Sequence, residues 1–136
     1  MGRQNDSDQS LILLIADHME DGFLENIIDM FRHDSGLYLL IGNLIQDERV
    51  RVRIGITALL EELKKIDAGN ISKAVPGLLP LLSAPEPFVR GDAANLLGII
   101  GDKSAVPFLE KLLKDENENV SMTAREAIDD IRQSAA

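Results

Sequence analysis

The chain lacks cysteine and tryptophan, and only 4% of its 136 residues are aromatic. Without cysteine there are no disulfides and no thiolate metal sites, which favours a reducing compartment. With so few aromatics, the core must be built from Leu, Ile, Val and Ala, a mixture that suits closely packed helices better than sheets. The composition therefore predicts a single domain of the all-α class.

Long apolar runs are also lacking. The run at 11–16 is six residues long, far too short to span a bilayer, and its flanks are acidic rather than basic. We therefore expect no membrane contact and no secretory signal. The predicted location is the cytoplasm.

Positive charge is scarce, since 14 basic residues face 23 acidic ones and the net charge is −9. Such a chain repels phosphate backbones unless a local basic patch overcomes its field. The one candidate patch is Arg49, Arg51 and Arg53. We interpret Arg53 as a structural repeat position and the other two as solvated side chains paired with Asp47 and Glu48. The prediction is that the protein binds no nucleic acid.

The chain does contain one pattern of buried-face residues that occurs three times. The second copy begins 37 positions after the first, and the third begins 31 positions after the second. Small or apolar residues occupy i, i+4, i+7, i+8 and i+11 of each copy, which is the stripe of an amphipathic helix. The three stripes are Val52, Ile56, Leu59, Leu60, Leu63; Val89, Ala93, Leu96, Leu97, Ile100; and Val120, Ala124, Ala127, Ile128, Ile131. Because one such helix cannot bury its stripe alone, repetition predicts a stack of units.

A second apolar segment precedes each stripe. Val75-Pro76 aligns with Val106-Pro107, and proline is tolerated in the first turn of a helix. Each unit is therefore predicted to be a helical hairpin. The predicted divisions are a disordered tail over 1–9 and a single domain over 10–134, which comprises an atypical N-terminal hairpin (10–35) and repeat units 36–70, 71–103 and 104–134.

The outer copies differ from the middle one. In the earliest copy, Ile56-Thr57 stands where the middle copy has Ala93-Ala94, so its helix should lie farther from its neighbour or be shifted along it. In the last copy, small contact positions become charged: Asp129 replaces Gly98, Arg125 replaces Ala94 and Arg132 replaces Gly101. A charge there would be costly against another helix, so we expect the stack to end at this helix.

The middle copy also carries a family resemblance. The residues that carry it are Ala74-Val75-Pro76, Val89-Arg90-Gly91-Asp92, Gly101-Asp102 and Ala105-Val106-Pro107. This segment resembles the HEAT-like repeat of the phycobilisome (bilin) lyase type. The resemblance implies a right-handed α-solenoid of about four helical hairpins, whose second helices line a concave face used for protein contacts. It also implies that Arg53, Arg90 and Asp102 are structural and form a ladder that ties adjacent units.

The candidate binding face lies on the second helices, opposite the buried stripes. Its twelve positions are Ile54, Gly55, Ala58, Glu62, Gly91, Asp92, Asn95, Ile99, Met122, Thr123, Glu126 and Asp130. They mix small, polar and apolar side chains, as a groove for a peptide or helix would. Two interpretations of Ile54, Ile99 and Met122 stay open: contact with a partner, or packing against a neighbouring helix.

Catalytic and metal-binding patterns are not found. Asp29 and His33 are four residues apart on a predicted helix and acids surround His18, but zinc needs three or four converging ligands. No nucleophile elbow, phosphate loop or dinucleotide fingerprint occurs. We expect no enzyme activity, no metal and no cofactor.

The sequence thus favours a non-catalytic scaffold or interaction module whose partner is another protein. Two alternatives remain. One is a bilin-lyase-like subunit that holds a chromophore in the concave groove. The other is a homodimer that pairs through the apolar hairpin from Leu11 to Phe31.

Overall fold

The computed structural model describes the backbone of residues 2–134 and, from Ser7 onward, the side chains. These residues form α-helices and short 3-10 helices and contain no strand, so the all-α prediction is confirmed. The α-helices are α1 (Gly2–Glu20), α2 (Leu24–His33), α3 (Ile41–Leu44), α4 (Val50–Ile66), α5 (Val75–Leu78), α6 (Pro87–Ile100), α7 (Val106–Glu110) and α8 (Glu118–Ser134). The 3-10 helices are Ser35–Leu40, Ile71–Ala74, Leu79–Ser83, Lys103–Ala105 and Lys111–Lys114.

The N-terminal helix is longer than the sequence predicts. Residues 2–9, expected to be a disordered tail, belong to α1. Residue 1 of that tail lies outside the described residues, as do 135 and 136. The helix ends in a Schellman motif, in which Gly22 adopts φ +88° and the Phe23 N–H donates to the His18 carbonyl. The turn at Asp21-Gly22 thus separates α1 from α2.

The three repeated stripes fall on α4, α6 and α8. All fifteen of their residues are buried, as the helical spacing predicts. The three helices lie side by side, with α6 between α4 and α8. α6 ends at Gly101, whose φ of +80° suits glycine.

The shorter elements form the other side of each pair. Here the structure differs in detail from the predicted single helix, because α5 is flanked by 3-10 helices on both sides. Pro80 lacks the N–H that an α-helical bond at this position requires, so the helix continues in tighter 3-10 turns. α3 and α5 cross closely at Gly42 and Gly77, where a Cβ on Gly42 would overlap the Gly77 carbonyl.

The N-terminal pair packs differently from the repeats. α2 lies beside α4, but α1 also contacts α4 more extensively than it contacts α3. The Phe31 ring meets the buried Tyr38 ring edge-on, with centroids 5.3 Å apart. The Tyr38 hydroxyl donates to the Asp67 carboxylate at 2.8 Å, and burial together with this carboxylate raises the Tyr38 pKa. These contacts join α2 to the first repeat and to the link that follows α4.

Candidate functional site

The predicted binding face is accessible to different degrees along the second helices. None of its twelve positions has a buried side chain. Gly98, which faces Ala127 of α8 and is not part of the predicted face, is buried. The exposed members of the face are Ile54, Asn95, Met122, Glu126 and Asp130, and the half-buried ones are Gly55, Ala58, Glu62, Gly91, Asp92, Ile99 and Thr123.

A groove of about 510 Å³ opens between α6 and α8. Its lining residues are Pro87, Phe88, Gly91, Asp92, Asn95, Asn117, Asn119, Val120, Thr123 and Glu126. Five of them belong to the predicted face: Gly91, Asp92, Asn95, Thr123 and Glu126. The groove thus brings together five of the eight predicted positions of the last two repeats, and Ile99, Met122 and Asp130 do not line it.

The predicted face left out five of the lining residues: Pro87, Phe88, Asn117, Asn119 and Val120. Phe88 and Asn119 are equivalent in successive repeats. Both occupy the position just before the first residue of the stripe, which Arg51 occupies in the earliest copy. This position lies about 100° from the stripe residue on a helix, so it belongs to the outer face. Phe88 is 38% exposed and is one of only four phenylalanines in the chain, which was an available signal.

The face of α4 departs from the prediction at Gly55. A Cβ on Gly55 would overlap the side chain of Met19, which is itself only 5% exposed. α1 therefore covers α4 at this point, and Gly55 contacts the N-terminal hairpin rather than a free groove. Gly55, one of the twelve predicted positions, is therefore covered by α1.

Asp92, predicted to face a partner, is already engaged within the protein. Its carboxylate lies 3.2 Å from the Arg53 guanidinium of α4. The same arginine donates to the carbonyls of Asp47 and Glu48, at 3.1 and 3.0 Å. Burial raises the pKa of Asp92, and Arg53 offsets part of that shift. Asp92 thus contributes to the link between units and lines the groove as well.

Arg90 makes the equivalent link to the last unit. Its guanidinium donates to both carboxylate oxygens of Asp115, at 2.9 and 3.0 Å, and to the carbonyls of Ala84 and Pro85, each at 2.9 Å. The two side chains are 11% and 8% exposed. These bonds, together with the Asn117 N–H, hold the Asp115 pKa below its usual range. Arg53 and Arg90 therefore bridge units, as the resemblance implied.

Asp102 is structural, but it is not the partner of either arginine. Its carboxylate accepts a hydrogen bond from the Ser104 N–H at 2.9 Å and caps the 3-10 helix that precedes α7. This bond, aided by hydroxyls of Ser104 and Ser72, lowers the Asp102 pKa. The predicted ladder thus uses Asp92 and Asp115 as its acidic members.

The three apolar members of the face behave differently. Ile99 is partly buried and packs against the core. Ile54 and Met122 are 64% and 56% exposed, so packing does not account for them. For Ile99 the packing interpretation is confirmed.

Several polar groups of the groove have no partner in the part of the chain that the structure describes. Among the described residues, no hydrogen bond is made by the side-chain amides of Asn95 and Asn119 or by the Glu126 carboxylate. The Asn117 side-chain oxygen is used, since it accepts from the N–H groups of Asn119 and Val120 at the start of α8. The groove therefore presents both donors and acceptors to solvent.

The two histidines take part in local bonds. Nδ1 of His18 lies 3.0 Å from the Leu14 carbonyl, and Nδ1 of His33 lies 2.7 Å from the Asp29 carbonyl rather than from its carboxylate. No group of three or more potential metal ligands occurs among the described residues.

Two of the three arginines of the basic triplet, Arg49 and Arg53, bind groups within the protein. Arg49 binds Asp47 through 2.9 Å contacts and also reaches Asp17 of α1 at 2.9 Å, so its predicted pairing with Asp47 is confirmed. Arg51 is exposed and makes no ion pair with the described part of the chain. No helix within the described residues is both long and apolar enough to cross a membrane.

Comparison with known proteins agrees with this architecture. The family model for HEAT repeats matches residues 39–129, which is more than half of the chain. The chain belongs to the HEAT repeat family, whose members generally mediate contacts between proteins. A search of curated proteins finds no match.

Proposed function

We propose that the protein is a non-catalytic interaction module that binds a segment of another protein in the groove between α6 and α8. The observation that supports this most directly is the set of unpartnered polar groups, Asn95, Asn119 and Glu126, beside the exposed ring of Phe88. In a folded domain, polar side chains grouped with an exposed aromatic mark a surface suited to recognition.

The chemistry of the groove suits a peptide main chain. A side-chain amide both donates and accepts hydrogen bonds, as does each peptide unit. Asn95 on α6 and Asn119 on α8 stand on opposite sides of the groove. A segment lying between them would be bonded from both sides, while Phe88 and Val120 supply apolar contact.

The paired helices are taken as a right-handed solenoid of four hairpins, with α4, α6 and α8 on the concave side and the N-terminal hairpin as its cap. The proposed setting is the cytoplasm, because the chain has no cysteine. The homodimer remains an alternative assembly.

The bilin-handling alternative is less favoured. Propionate groups of a linear tetrapyrrole call for arginine or lysine partners. The residues that line the groove include neither, and the nearby Arg53 is bound to Asp92. Addition of a bilin to the purified protein is expected to leave the absorption spectrum of the pigment unchanged.

Site-specific photo-crosslinking tests the proposal. A photoreactive residue at Asn95 is compared with one at Glu110, which is exposed on α7 in the other helix layer. In cells of the native host, we expect a crosslinked protein at position 95 that is absent at position 110. Its yield should fall when Phe88→Ala is added, with the helical circular dichroism unchanged. The same products at both positions would refute the groove as the binding site.

A further inference from the structure

The electrostatics of the groove point to the chemistry of its occupant. We propose, resting on the function proposed above, that the groove selects an extended segment bearing an arginine or lysine side chain, whose cation pairs with the Glu126 carboxylate and whose apolar stem lies against Phe88. The partner is thus a basic peptide segment of another protein.

The charges on the groove are of one sign. Among its lining residues the ionisable ones are Asp92 and Glu126, both acidic. Asp92 has Arg53 as its counter-ion at 3.2 Å, whereas Glu126 has no ion pair with any described residue. Glu126 therefore supplies uncompensated negative charge at the groove, within a chain whose net charge is −9.

Phe88 already holds one guanidinium. The Arg53 guanidinium carbon lies 4.5 Å from the centroid of its ring, within the distance of a cation–π contact. Arg53 is fixed there by the Asp47 and Glu48 carbonyls and by Asp92, so it is not free to reach Glu126. The exposed part of the ring lines the groove and offers apolar contact to the stem of a second basic side chain.

The amides determine how such a side chain is presented. A free guanidinium would use only Phe88 and Glu126, and would leave Asn95 and Asn119 unpaired. A peptide uses all four, since its main chain bonds the amides while its side chain carries the cation. An acidic or phosphorylated segment would be repelled by Glu126 and would find no cation among the lining residues.

Side-chain amide signals in NMR spectra of the isotope-labelled full chain provide the test. The probe is a short, acetylated and amidated Ala-Ser peptide with one central arginine, and its match carries citrulline, which has the same shape without the charge. The arginine peptide should shift the signals of Asn95 and Asn119. The citrulline peptide should bind about fivefold more weakly, as expected for loss of one partly exposed charge contact.

Variants locate the contact. Glu126→Gln should weaken binding of the arginine peptide about fivefold and abolish the preference over citrulline, while Glu110→Gln, on exposed α7, should change neither. Phe88→Leu should weaken binding without removing the charge preference. Retained signal dispersion shows that each variant is folded.

The outcomes separate the two proposals. Equal binding of both peptides, with shifts confined to the groove, would overturn the cation assignment and leave the docking groove standing. If neither peptide shifts the groove signals while the crosslink at position 95 captures a protein, the cation assignment is again wrong and the proposed function stands. Failure of both experiments would refute the proposed function itself.

Discussion

Arg53 and Arg90 occupy the same position in successive repeats, yet they bind different partners. Each reaches back to two carbonyls of the turn before its own helix. Arg90 also forms an ion pair with Asp115, whereas Arg53 forms one with Asp92 and contacts the ring of Phe88. The two units differ at the position of the acid, since the residue equivalent to Asp115 in the preceding unit is Ala84. The repeat thus places the arginine, and we expect the residue at this turn position to direct what it binds.

The helix contacts at the two junctions differ in the same way. α6 packs more extensively against α8 than against α4, as predicted from the bulkier Ile56-Thr57 pair. At the α6–α8 junction, a Cβ on Gly98 would lie 2.9 Å from Cα and Cβ of Ala127. The equivalent residue on α4 is Glu61, which is exposed. The closer junction is therefore the one that small residues permit.

The largest effect is expected from filling the closer junction. Gly98→Val places branched carbon atoms against the Ala127 backbone, which cannot move without shifting α8. We expect the free energy of unfolding to fall by about 2–3 kcal/mol, the upper range for overpacking a core site. Urea unfolding followed by circular dichroism measures it.

Two substitutions serve as controls for that result. Gly69→Ala meets nothing within 4 Å and should change stability by less than about 0.5 kcal/mol. Glu61→Ala, at the equivalent position of the looser junction, should be similarly mild. A loss at Glu61 as large as that at Gly98 would contradict the difference between the junctions.

The second-largest effect is expected from removing the two arginines, and its size should differ between them. Arg90→Met removes a two-bond contact with a nearly buried carboxylate and leaves Asp115 without its counter-ion. Arg53→Met breaks a more exposed ion pair, because Asp92 is 38% exposed, together with the contact to the Phe88 ring. We expect the melting temperature to drop by several degrees for Arg90→Met and by clearly less for Arg53→Met. Equal drops would show that the partner does not matter.

The sequence predicts some of these features and not others. The stripes on α4, α6 and α8 were predictable because a buried face imposes a fixed spacing on one chain segment. The partners of Arg53 and the cover that Met19 forms over Gly55 were not, because both depend on contacts between segments far apart in the chain. Phe88 and Asn119 were accessible to sequence reasoning, since they occupy one repeat position that the predicted face left out.

The third prediction concerns pH. Arg90 lowers the Asp115 pKa below its unfolded value of about 3.9, so this stabilisation is present above about pH 4 and is lost as pH falls through the folded pKa. Burial raises the Asp92 pKa, so its contribution is present below about pH 4 and is lost as pH rises through the folded pKa. The two carboxylates of the ladder should therefore act in adjacent windows with opposite sign.

Unfolding free energies from pH 2 to 7 for two variants measure this. The unfolding free energy of Asp115→Asn should fall progressively below that of the wild type as pH rises toward about 4. The unfolding free energy of Asp92→Asn should rise relative to that of the wild type as pH rises above about 4. Parallel curves for Asp92→Asn and wild type would show that Arg53 fully compensates the burial of that carboxylate.

The smallest effect should come from restoring the missing acid. Ala84→Asp places a carboxylate where the repeat puts Asp115, within reach of Arg53 by equivalence. We expect a gain of at most about 1 kcal/mol, since a partly exposed ion pair is worth little and Arg53 must release Asp92. Ala84→Asn is the uncharged match. If the single residue at 84 decides the partner, the gain should grow when Asp92→Asn is combined with Ala84→Asp, because the competing acid is then gone. No gain in that double variant would mean that the helix spacing, and not the residue at 84, directs Arg53 to Asp92.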